Sequence, residues 1–406
     1  MKYLQPEYYN LFRCVAGACE NTCCMGWKIA IDEKTLSLYE VMPGKIGDKI
    51  RKSIDWREAC LLQRGNRCVL LDGNGLCEVQ KNCGHEALCE SCREYPRHVE
   101  EFPEVREYSL SLSCPEAARL ILSSGSSAAE WYTEESDDLE YEDFDGKLYS
   151  FVVELRDWIR EVIIDPEMTL RQKQAFLRIS SHEIQRLLDE EYQEREFVSD
   201  EFVSLAGAFL KEVRRKNGED LREDFFDGVL GYHILCEEFR LLEKLYPVDS
   251  SWPLYRARIY RLLYKNGEDA FRKIGAEFED WCRNNRSFMS DKGMSGNHEG
   301  QNICRGEDMH GCMQDDLENL ELKIIDYYLF VYLTGAVYDG DIASKINLAL
   351  YSGHRLREAA LFQWLTHDKC LTLSDIAGSM SRYAREIEHD DENLEILIEE
   401  VNRLWQ

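Results

Sequence analysis

Cysteine is the residue type whose number and spacing can do chemistry in this chain. There are 16 in 406 residues, and eleven lie at or before position 114. The core pattern is Cys14-x4-Cys19-x3-Cys23-Cys24-x2-Trp27, followed by Cys68-x8-Cys77, Cys92 and Cys114-Pro115. In a chain that is not exported, thiols stay reduced, so a cluster of them reads as metal ligands rather than disulfides. Thiolates select zinc, copper(I) or iron–sulfur clusters. A cubane cluster takes four thiolates, often several from one tight loop and one from a distant segment. Cys19, Cys23 and Cys24 can form the loop set, with Cys68, Cys77, Cys92 or Cys114 supplying the rest. These eight cysteines make either two four-thiolate sites or one site with spares. Adjacent Cys23 and Cys24 cannot easily point the same way from an extended backbone.

Cys60, Cys83 and Cys89 fall between the core positions and read as non-ligands, because free cysteine is often a small buried hydrophobe. The same holds for the scattered Cys236, Cys282, Cys304, Cys312 and Cys370. Trp27 is placed to shield a cluster from water, or simply to pack. Arg93 and Arg97 can donate hydrogen bonds at the site, or pair with Glu94, Glu100 or Glu101. Pro96 fixes the chain after Cys92. His85 and His98 are alternative fourth ligands, each more simply a surface or core histidine. No G-x-G-x-x-G follows a strand, and no P-loop or H-E-x-x-H occurs. The C-x3-C-x2-C signature of radical S-adenosylmethionine enzymes is not met, since Cys24 follows Cys23 directly.

The elements that must position these residues change character along the chain. Residues 1–122 read as an irregular, cysteine-rich metal-binding region with short strands. Trp27 to Asp32 alternates as a brief strand, Asp72 to Gly75 is a turn, and Pro115 to Leu122 is a helix with proline at its first position. Ser123 to Gly146, opening in SSGSS and ending acidic, reads as a connector. Residues 147–406 read as a helical domain. Leu148, Phe151, Val152, Leu155, Trp158, Ile159 and Val162 share one helical face. Further helices are expected over 168–192, 200–216, 221–246, 253–264, 267–284, 317–338, 341–352, 355–366 and 373–404. The class is mainly α. Arg286 to Asp316 reads as a flexible loop. Its Cys304-x5-His310-x-Cys312 spacing matches no common zinc pattern.

The formal net charge is −28. Residues 1–114 hold 15 basic and 17 acidic side chains, and the remainder holds 34 and 60, so the acidity belongs to the helical part. Such a field opposes binding to nucleic acid and suits a basic partner such as a lysine-bearing substrate, or simply confers solubility. Neither an apolar leader nor a run of about 20 apolar residues is present, which predicts a cytosolic protein without a transmembrane segment, peripheral membrane contact apart.

At these cysteines the sequence resembles the flagellin lysine-N-methylases of bacteria. The resemblance lies in Phe12-Arg13-Cys14, CENTCCMGWKIAID, CVLLDGNGLCEVQK, CREYPR and SLSCPEAARLIL, in that order and spacing. It covers about the first 122 residues, with ENLELKIIDYYLFVYL the most similar stretch beyond. The same N-terminal part also resembles a wider group of zinc- or iron-chelating cysteine-cluster proteins. The resemblance implies methylation of lysine ε-amines on flagellin in the bacterial cytosol, with S-adenosylmethionine as donor and a cysteine-bound [4Fe–4S] cluster (zinc as the alternative). It implies cluster ligands among Cys14, Cys19, Cys23, Cys24, Cys68, Cys77, Cys92 and Cys114. Cys60, Cys83, Cys89 and the 286–316 loop depart from the family's pattern. The competing class is a non-enzymatic zinc or iron–sulfur scaffold whose acidic helices bind a basic partner.

Overall fold

The computed structural model describes residues 2–19, 21–124, 129–133, 144–215, 231–284 and 313–405. The Cys304, His310 and Cys312 group lies outside them. The chain forms two compact units. The first comprises Met1–Asp138, Tyr246–Ala257 and Ala377–Leu394; the second comprises Leu139–Leu245, Arg258–Ile376 and Glu395–Gln406.

The first unit contains a four-stranded sheet. Its strands are β1 (Lys2–Pro6), β2 (Arg97–Glu101), β3 (Val105–Leu110) and β4 (Ala129–Thr133), in spatial order β2-β3-β1-β4. β1 runs parallel to β3, with Tyr3 opposite Arg106, and antiparallel to β4, with Tyr3 opposite Tyr132. The Tyr3 and Tyr132 rings stack at 5.0 Å, a cross-strand pair of the kind that stabilises sheets. β4 falls inside the stretch read as a connector. Three successive large or β-branched residues, Trp131-Tyr132-Thr133, supply its strand propensity.

A separate apolar cluster supports the cysteines. Ile29, Ile31, Tyr39, Ile50, Leu70, Val79 and Leu88 are buried there with Cys68 and Cys89. The alternation read at Trp27–Asp32 is real, with Ile29 and Ile31 buried between exposed Lys28 and Ala30. It makes only an isolated bridge, Ala30 to Cys60, rather than a strand. The backbone bonds from Ile31 N to Ala59 O and from Leu61 N to Ile29 O are its whole ladder.

The two later segments of this unit are tied together by polar contacts to backbone. The Glu386 carboxylate accepts from Val248 N at 2.8 Å and Asp249 N at 3.0 Å. Asn393 accepts from Tyr246 N and donates to Tyr246 O and Glu386 O.

The second unit is helical. Its longest elements are Gly146–Ile163, Leu170–Glu194, Met313–Tyr332 and Ile342–Thr366. Asp145 caps the first through Lys147 N and Leu148 N, and a capping box of Thr169 and Gln172 starts the second. The sequence suggested a break near Gly353, but Ile342–Thr366 is continuous. Gly353 serves close packing instead: a Cβ there would lie 2.9 Å from Ile325 Cγ1 on the facing helix. Conversely, the expected 373–404 helix is two, Leu373–Glu388 and Asp391–Trp405. Asp390 starts the second by accepting from Asn393 N at 3.1 Å. No helix among the described residues is long and apolar enough to cross a membrane.

Candidate metal centre

Local backbone chemistry explains how the cysteine segments meet. Cys68 N donates to Cys24 O at 2.8 Å, which lays the Cys23–Cys24 turn beside the short Gln63–Arg64/Arg67–Cys68 hairpin. The Asp72 side chain accepts from Asn74 N and Leu76 N and closes the Asp72–Gly75 turn. That turn returns Cys77 to a bridge with Leu71. Asp32 caps the Glu33–Val41 helix through Thr35 N, and its other oxygen accepts from Glu90 N at 2.9 Å. This second bond fixes the chain between Cys89 and Cys92. Cys114 is the N-cap of the Pro115–Ser123 helix, with its carbonyl accepting from Ala118 N.

Adjacent Cys23 and Cys24 divide the thiols into two neighbourhoods. Cys24, Cys77 and Cys92 pack on the apolar cluster that contains Cys68 and Cys89. Cys24 lies within electrostatic reach of Cys68, Cys77 and Cys92. Cys23 also reaches Cys92 but otherwise feels Cys14 and Cys114, and Cys114 feels Cys19 and Cys14. The side chains of Cys23 and Cys24 bond to each other, as do those of Cys89 and Cys92. All eight sequence-nominated cysteines therefore belong to one of two adjoining groups. Among the described residues, no three Cys, His, Asp or Glu side chains converge tightly enough to hold a single metal ion.

The thiols do not share one acidity. Cys23 donates to Cys24, and that bond, then burial, pushes the Cys23 thiol well above its ordinary range. The same bond pulls Cys24 down to about 7, helped by Thr22, Arg67 and Arg385 against the cost of burial. Cys92 is raised and Cys89 lowered by their mutual bond. Burial pushes Cys68 up to about 12 and Cys114 up to about 11. The neighbouring thiols add to these increases, because each thiolate repels the next.

Several aromatic and polar side chains wall this set. Trp27 Nε1 donates to Cys23 O at 2.6 Å. The Trp27 ring lies 4.6 Å from that of His389 and 5.9 Å from that of Tyr95. Tyr95 OH and Ser113 Oγ are 3.0 Å apart, and Ser113 Oγ lies 2.8 Å from His389 Nε2. Burial, then the charge of Arg385, holds His389 down to about 3, so its imidazole is neutral near pH 7. Arg385, 1% exposed, donates to Asn21 Oδ1 and Asn21 O, both at 2.8 Å.

Other nominated residues sit apart from the thiols. Arg93 is half-buried and pairs with Glu94 at 3.0 Å. Arg97 stacks over the rings of Tyr9 and Phe12. His98 pairs with Glu100, and His85 is exposed in a single 3-10 turn. Cys60 is buried opposite Asp55, and Cys83 Sγ lies 3.9 Å from Met42 Sδ. Cys89, by contrast, lies among the thiols. A signal for it existed, since Cys89-x2-Cys92 is a common metal-ligand spacing. Arg385 and His389 had no such signal: they are ordinary residues of a helical stretch until the fold brings them here.

The chain is 32% identical over 127 residues to the flagellar biosynthetic protein FliU of Salmonella muenchen, a match covering 29% of this chain and 75% of that protein. It is equally similar to proteins named lysine-N-methylase from Salmonella typhimurium and Salmonella choleraesuis. There the match spans only 32% of each relative's length. No protein-family profile matches the chain. No solved structure matches it either. At this identity over three quarters of FliU, and with the cysteine motifs that carry the likeness, the chain belongs to the flagellin lysine-N-methylase family.

Proposed function

We propose that this protein methylates lysine ε-amines on flagellin, with S-adenosylmethionine as methyl donor and a cysteine-bound [4Fe–4S] cluster in its first unit. The observation that carries the reading is the gathering of eight motif cysteines in a chain related to lysine-N-methylases. The donor set fits the cluster chemically. It is all thiol, mostly half-buried, and crowded enough that each thiolate disfavours the next, an arrangement that bound cationic iron relieves. A cubane also takes ligands set wider apart than one ion does, because irons and sulfides stand between them. The four thiolates that would hold it come from Cys14, Cys19, Cys23 and Cys114 on one side and Cys24, Cys68, Cys77 and Cys92 on the other, as one site with spares or as two sites. When bound, the cluster supplies an electron-transfer centre and metal–thiolate bonds that cross-link the segments.

Methyl transfer itself is a displacement. The lysine nitrogen lone pair attacks the sulfonium methyl group; the N–C bond forms and the S–C bond breaks, leaving the thioether. The attacking amine must be neutral, so its proton leaves beforehand to a base or to water. The chain's contribution is binding and surroundings. Its excess of acidic side chains, 77 against 49 basic, attracts a lysine-bearing substrate. Trp27, Tyr95 and neutral His389 keep water from the thiols.

The test is anaerobic purification with iron and sulfide analysis, then incubation with methyl-labelled donor and flagellin. Label on flagellin lysines is the expected result. A cluster-replete sample that transfers no label overturns the enzyme reading in favour of a metal-binding scaffold. Zinc in place of iron overturns the cluster and leaves methyl transfer standing.

A further inference from the structure

The end of one helix reaches the cysteine segments from far along the chain. Arg385 and Glu388 lie in the last turn of Leu373–Glu388, and His389 follows directly. Their spacing, i, i+3 and i+4, places all three on one face. Arg385 grips the residues before Cys23: Asn21 Oδ1 and Asn21 O at 2.8 Å, and Thr22 O at 3.3 Å. Glu388 Oε2 accepts from Ser111 Oγ at 2.5 Å and from Ser113 N at 3.2 Å. His389 Nε2 reaches Ser113 Oγ at 2.8 Å, one residue before Cys114. The His389 ring also packs on Trp27, whose Nε1 holds the Cys23 carbonyl.

These contacts join two segments some 90 residues apart that share no strand ladder. Residues 21–24 form only turns. Their Cys24 end is held by the backbone bond from Cys68, and their Asn21–Thr22 end by side chains from elsewhere. Bonds to a guanidinium or a carboxylate are the strong kind, and a forked guanidinium fixes direction as well as distance.

We propose that Arg385, Glu388 and His389 are positioning residues that hold the Cys23–Cys24 turn against Cys114, so that Cys23 and Cys114 face the same metal centre. The metal part of this rests on the cluster reading above; the positioning part does not. Loss of partners one bond removed from metal ligands costs 10- to 100-fold in metal affinity. A cluster's potential also follows the charge and hydrogen bonds around it.

The test uses the full-length protein with Arg385→Ala, Arg385→Lys, His389→Gln and, as control, Arg382→Ala, an exposed position on the same helix. Iodoacetamide labelling of the metal-free protein, mapped by mass spectrometry, reads positioning without any metal. In Arg385→Ala, Cys23 and Cys114 are expected to react at least several-fold faster, with buried Cys236 of the second unit unchanged. Chelator competition on the iron-loaded protein is expected to show a 10- to 100-fold loss of affinity for Arg385→Ala. Arg385→Lys keeps the charge but not the fork, and is expected to shift the reduction potential while circular dichroism is unchanged. His389→Gln retains a polar partner for Ser113 and is expected to label near the wild-type rate. Equal labelling of Cys23 and Cys114 in wild type and Arg385→Ala overturns the proposal. Should Arg385→Ala fail to fold, Arg385→Lys decides: faster labelling at those two cysteines upholds it and wild-type labelling overturns it. A wild type that binds no iron defeats the cluster reading, and the labelling contrast still decides positioning.

Discussion

The two units handle buried charge in opposite ways. In the helical unit, buried ionic groups meet their partners on other helices or one turn along their own. Glu238 is fully buried and accepts from Arg355 Nη2 at 2.9 Å and Trp405 Nε1 at 3.2 Å, with His354 Nδ1 at 2.9 Å. Glu358 pairs with Arg355 at 3.1 Å and accepts from the Tyr264 hydroxyl. Glu321 takes Gln174 and Arg357 in the same way. In the cysteine-rich unit, the thiols of Cys68, Cys77 and Cys114 stand near other thiols whose ionised forms repel theirs. One unit closes its electrostatics on itself. The other keeps its thiols close together, and on the proposed function a bound cluster completes it.

This contrast breaks first at the metal. On the proposed cluster reading, stripping iron from the loaded protein is expected to cost the first unit on the order of 10 kcal/mol, the scale of structural zinc sites. Peptide-resolved hydrogen exchange checks it: protection is lost over 21–114 and kept over 170–194. Equal loss in both would mean the units do not differ in this respect. The helical unit is most exposed at its own ion network. Glu238→Ala leaves Arg355 buried without that partner and is expected to destabilise by about 3–5 kcal/mol in urea unfolding.

A pH series sharpens the comparison. Burial raises Glu358 to about 7 from the 4.5 of the unfolded chain. The folded state therefore holds a proton that the unfolded state releases between these values. The contribution of Glu358 is complete below about pH 4.5 and lost as pH rises through 7, at most about 3 kcal/mol. Glu358→Gln is expected to flatten that part of the stability curve; an unchanged slope would assign it elsewhere.

Smaller effects test packing and capping. Gly353→Ala should cost about 1–3 kcal/mol by crowding Ile325, although alanine is the better helix former. Thr169→Ala should cost about 1 kcal/mol through loss of the capping box, read as a lowered melting temperature.

Helical periodicity was legible because each amphipathic face is written in neighbouring residues. The 148–162 stripe lies in Gly146–Ile163 as expected. The break at Asp390 and the continuity through Gly353 were less legible. Each depends on what the backbone meets: a capping bond in one case, a facing helix in the other. The β4 strand hid in a polar stretch because its partner, β1, lies over 120 residues earlier.

At the cysteines the sequence by itself set which residue types are available for chemistry. Thiols at short spacings in the first 114 residues nominate metal ligands, because ligand type follows residue type. Only the tertiary structure decided their sides. It set Cys23 near Cys14 and Cys114, and Cys24 near Cys68 and Cys77, with Cys92 near both. It also brought Cys89 in and set Arg385, Glu388 and His389 behind the loops. Such contacts join residues up to 364 positions apart, and local spacing carries no information about partners at that range.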